Sequence, residues 1–99
     1  MYSIVTTQKF DSHYQSILDY IAFELYNPRA ALNITEELND IMKRLSVLPN
    51  TYAVYKDTHL FSGIEYRYIS IGNYLIFYSI DEDNERVVLE DMVYGKRLL

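Results

Sequence analysis

Residues 2 to 6, Tyr-Ser-Ile-Val-Thr, alternate in polarity and are rich in β-branched side chains, the pattern of a short strand. The period then lengthens. Phe10, Tyr14, Ile17, Leu18, Ile21 and Leu25 recur at helical spacing, and Thr7 ahead of them is an N-cap residue. Asn27-Pro28 ends that stripe, because proline disfavours helical geometry in the residue before it yet fits the first turn of a new helix. The second helix is predicted to run to about Leu48, burying Ala31, Ile34, Leu38, Ile41, Leu45 and Leu48, with Pro49-Asn50 as its stop. Residues 50 to 59 have no clean period and read as a loop with a short extended piece at Tyr52 to Tyr55. Runs of period two then predict strands at about 64 to 71, 74 to 80 and 86 to 94. The order is β-α-α-β-β-β. Two amphipathic helices hide their stripes by packing as an antiparallel hairpin on one face of the sheet, so the expected fold is α+β, with a small, twisted, antiparallel-rich sheet.

Gly72-Asn73 joins the first two strands of that run and tolerates positive φ, which suits a two-residue hairpin turn. Such a turn pairs Ile71 with Tyr74, sets Arg67 opposite Tyr78, and puts Arg67, Ile69, Tyr74, Ile76 and Tyr78 on one face. In that register Arg67 is expected to stand on a tyrosine-lined, open surface. A three-residue loop with a bulge would instead place Arg67 with Leu75 and Phe77, because a slip of one residue exchanges the two faces.

With 99 residues the chain is expected to form one domain, residues 1–99. It has no cysteine and two histidines, so neither a disulfide nor a thiolate or histidine-built metal centre is expected, and no cofactor is called for. Nine basic against 14 acidic residues give a net charge of −5, which opposes broad contact with a phosphate backbone. No apolar run approaches the roughly 18 residues that span a bilayer, and the first residues lack a signal peptide's basic region. A cytoplasmic location without membrane contact is therefore expected.

Individual residues carry competing readings. Arg67 reads either as a phosphate-binding cation or as a solvated strand residue stacked on a tyrosine. Tyr66, Tyr68, Tyr74, Tyr78 and Tyr94 suit base stacking, although tyrosine is also an ordinary strand former. His59 lies just before the hairpin and is a candidate acid or base, with a surface loop residue as the commoner reading. His13, at the edge of the first helical stripe, reads as structural. The run Asp81-Glu82-Asp83-Asn84-Glu85 lacks the central glycine and distal glutamate of a calcium loop and reads as a solvated turn. Phe23 and Tyr26 fall opposite the buried stripe, where exposed aromatic rings hint at a partner surface.

The element order, together with Asn27-Pro28-Arg29-Ala30-Ala31 opening the second helix, Tyr66-Arg67, the stretch Ile71-Gly72-Asn73-Tyr74-Leu75-Ile76-Phe77-Tyr78 and the ending Val93-Tyr94-Gly95-Lys96-Arg97, resembles the RelE/ParE toxin superfamily. The likeness covers nearly the whole chain. It implies a bacterial, growth-inhibiting toxin of a type II toxin-antitoxin system, of the kind also called plasmid stabilisation proteins. The implied partner is a cognate antitoxin, in a toxin-antitoxin hetero-oligomer or beside a homodimer. The implied target is either DNA gyrase, as for ParE-like members, or messenger RNA on the ribosome, as for RelE-like endoribonucleases. By the resemblance, a nuclease would use Arg67, Tyr78, Lys96 and Arg97, with cations around the phosphate and a group to move the proton. Here Ile69 and Leu75 occupy positions that are often basic in the nucleases, and the sequence stops at Leu99, before the segment that carries a catalytic Tyr or His in several of them. The expectation is therefore a ParE-like gyrase inhibitor, with a RelE-like endoribonuclease and an inactive, antitoxin-binding relative as alternatives.

Overall fold

A threonine and an asparagine-proline pair set where the helices begin. In the computed structural model, which describes residues 1–56 and 64–95, the Thr7 hydroxyl accepts the Phe10 amide at 2.9 Å and opens helix α1, Gln8–Asp19. Asn27 accepts the Ala30 amide at 3.1 Å and, with Pro28 in the first turn, opens α2, Pro28–Val47. Strand β1, Ser3–Thr6, precedes them; β2, Arg67–Ile71, β3, Tyr74–Asp81, and β4, Arg86–Tyr94, follow. The sheet order is β1-β4-β3-β2, with β1 parallel to β4 and the other neighbours antiparallel. The expected α+β architecture is the observed one: two helices on a four-stranded mixed sheet.

The core lies between the helices and one face of the sheet. Phe10, Leu38, Ile41 and Leu45 meet Ile69, Ile71, Ile76, Tyr78, Val87, Leu89 and Met92, all of them buried. Removing such side chains from water is the main stabilising contribution, about 1.5–3 kcal/mol for each large one. Among the described residues no helix is long and apolar enough to cross a membrane.

Several sequence expectations are corrected. Leu25 and Leu48, both assigned to buried stripes, are exposed. After Asp19 the first helix winds as a π-helical turn, Tyr20–Glu24, with the Leu25 amide donating to the Tyr20 carbonyl at 3.0 Å. The wider winding delays the rotation of the chain and carries Leu25 off the stripe. Leu48 is the C-cap of α2, with φ −129 and ψ 74, so it has already left the helix. The first hairpin strand begins at Arg67 rather than 64, and Ala53 to Tyr55 run beside it: Val54 bridges Arg67, and the Tyr55 amide donates to the Tyr66 carbonyl at 2.7 Å.

A bulge in β4 was not foreseen. Tyr78 pairs with Leu89 but Phe77 pairs with Asp91, leaving Glu90 as the extra residue. Strict alternation from Val87 and Leu89 would point Met92 away from the core; the inserted residue restores it, and Met92 is buried. Thr7 holds the bulge, its amide donating to the Leu89 carbonyl at 3.1 Å and its hydroxyl to the Glu90 carbonyl at 2.8 Å.

Candidate functional site

The β2–β3 hairpin has the two-residue register. Ile71 pairs with Tyr74 and Arg67 with Tyr78, and the turn has a positive φ of 56° at Gly72. Asn73 is not among the residues with positive φ, so the loop has the signature of a type II′ turn, with glycine where only glycine is unstrained. Gly95 closes the far end: its amide donates to the Asn73 carbonyl at 2.7 Å, and a Cβ there would lie 3.1 Å from the same oxygen.

The face that carries Arg67 and Tyr78 is the helix-covered one, which corrects the expectation of an open, tyrosine-lined surface. Tyr78 is 0% exposed, and Ile69, Ile71 and Ile76, which share its face, are buried as well. Its hydroxyl donates to the Pro49 carbonyl at 2.7 Å. Burial pushes the phenol up from its ordinary pKa, so it remains a proton-bearing donor at neutral pH. Arg67 donates from Nη1 to the Tyr52 carbonyl at 2.6 Å, and Nη2 lies 3.7 Å from the Glu65 carboxylate. Its Nε is buried with no hydrogen-bond partner. The Tyr52 ring meets that of Tyr78 edge to face at 6.4 Å, and Arg44 donates to the Tyr52 hydroxyl. Arg67 and Tyr78 are thus brought together as expected, but their polar ends hold the chain between Pro49 and Tyr52 against the sheet. Lys96, Arg97 and His59 lie outside the described residues.

The other tyrosines divide between the two faces. Tyr68 meets Tyr55 edge to face at 5.8 Å, and Tyr55 meets Phe77 at 5.0 Å, forming an aromatic cluster on the side of the sheet away from the helices. Tyr66 reaches Glu90; burial first, then that carboxylate, raises its pKa. Tyr74 packs edge to face on Tyr94 at 5.7 Å, and burial, with Tyr20 and Tyr94 nearby, raises its phenol too. Ile17, Tyr20, Leu25, Tyr74, Met92 and Tyr94 line part of a groove of about 720 Å³ between the first helix and the end of the sheet.

His13 is structural, as expected, and links α1 to the bulge at the surface. Its Nδ1 lies 2.6 Å from Asp91 Oδ1, which also accepts the Met92 amide at 2.8 Å, while Lys9 is 3.4 Å from Oδ2. The acidic turn is organised by its own side chains. Asp81 accepts from the Asn84 side chain and from Arg86, each at 2.9 Å, and these bonds, Asn84's first, lower its pKa. Among the described residues no three His, Cys, Asp or Glu side chains come together as a metal site.

Comparison with known proteins resolves what this arrangement belongs to. The family described as the ParE toxin of the type II toxin-antitoxin system, parDE, matches residues 4–90. The chain belongs to the ParE toxin family. As a ParE-family protein it is a type II toxin component. Its fold is similar to that of the chromosomal ParDE toxin-antitoxin system from P. aeruginosa, with a TM-score of 0.69 and 17% identity over 95% of this chain and 96% of that one. It is also similar to a metal-bound toxin from Helicobacter pylori, at 0.66 and 18% identity with both chains fully covered. The archaeal RelE-RelB complex from Pyrococcus horikoshii OT3 is similar at 0.56 and 15% identity, over 97% of each chain. No curated protein matches the sequence. At these identities the neighbours establish the shared fold.

Sequence reasoning found the Arg67–Tyr78 pairing through the turn. It missed the acceptors, Pro49 and Tyr52, because the helix stop at Pro49-Asn50 and the extended piece at Tyr52 to Tyr55 do not say which side chains reach their carbonyls.

Proposed function

We propose that this ParE-family toxin is held inactive by a cognate antitoxin in the cytoplasm and, when free, arrests growth by binding DNA gyrase rather than by cutting RNA. The observation that carries this reading is the use of Arg67 and Tyr78. A cation that neutralises a scissile phosphate, and a phenol that moves a proton, must both reach the substrate. Here the Tyr78 hydroxyl is committed to Pro49 and the Arg67 guanidinium to Tyr52, on the face packed under the helices. A protein-binding inhibitor needs no acid-base pair, only a complementary surface. The net charge of −5, unfavourable for gripping a phosphate backbone, fits the same reading.

The test sets purified toxin against purified gyrase in a plasmid supercoiling assay, and against ribosomes programmed with messenger RNA. Inhibited supercoiling with intact messenger supports the proposal. Codon-dependent cleavage with unaffected supercoiling overturns it.

A further inference from the structure

We draw no further inference here: the strongest candidate, the exposed apolar surface patch of Phe23, Leu25 and Tyr26 at the end of the first helix, carries nothing because nothing in the structure shows what covers it.

Discussion

Tyr78 and Arg67 face one another across the β2–β3 ladder and direct their polar ends to two carbonyls of one loop, those of Pro49 and Tyr52. The ladder thereby fixes the segment that leaves α2. In the fold the pair holds that connection against the sheet.

Replacing Arg67 by alanine is therefore expected to cost stability. It removes a charge-assisted hydrogen bond and leaves the Tyr52 carbonyl without its donor, a loss of about 1–3 kcal/mol. Urea unfolding of the Arg67→Ala variant measures this. An unchanged midpoint would show that the clamp does not depend on the guanidinium.

Tyr78→Phe keeps the buried ring and deletes only the bond to Pro49, so about 1 kcal/mol should be lost. Tyr78→Ala also leaves a cavity and should lose about 3–5 kcal/mol. Amide exchange should quicken around residues 49–53 in the phenylalanine variant. If protection there is unaltered, the hydroxyl is not what holds the loop.

The β4 bulge gives a sharper expectation. Deleting Glu90 removes the bulge and makes Met92 the second residue after Leu89, so strict alternation keeps Met92 on the core face and the cost should be limited to the Thr7 tie, about 1–2 kcal/mol. Thr7→Ala removes both the N-cap and the tie to the Glu90 carbonyl, for about 1–2 kcal/mol. A Glu90 deletion that loses about 2–5 kcal/mol, as if Met92 had left the core, would refute Glu90 as the single inserted residue.

Stability should fall at both ends of the pH range, for opposite reasons. Burial holds the Tyr66, Tyr74 and Tyr78 phenols above the ordinary value of 10.0, so the folded chain keeps protons that the unfolded chain releases. Their contribution is complete below that value and is lost as pH rises through the higher folded values. Asp81 runs the other way: Asn84 and Arg86 hold it below 3.8, so its contribution is present above that value and is lost as pH falls through the lowered one. Urea midpoints measured across pH should show a shallower alkaline limb in Tyr78→Phe and a shallower acid limb in Asp81→Asn. Limbs that superimpose on the parent's would show that these groups do not control the profile.

What the chain determined by itself was local. Thr7 and Asn27-Pro28 placed the helix starts because capping and proline geometry act within a few residues, and Gly72-Asn73 set the register of Arg67 against Tyr78 because a two-residue turn leaves one pairing. Which face of that hairpin would be covered was not local. β3 is apolar on both sides, with Ile76 and Tyr78 on one and Leu75 and Phe77 on the other, so alternation marks two faces without naming the buried one. Docking of the helices made that choice, and with it Arg67 became a clamp rather than an exposed cation. The β4 bulge was likewise decided by tertiary structure, and the π-helical turn is not marked by the regular period. Each is a departure from the regular period; the bulge is held by Thr7 against Glu90, far apart in sequence, and no local pattern encodes such a contact.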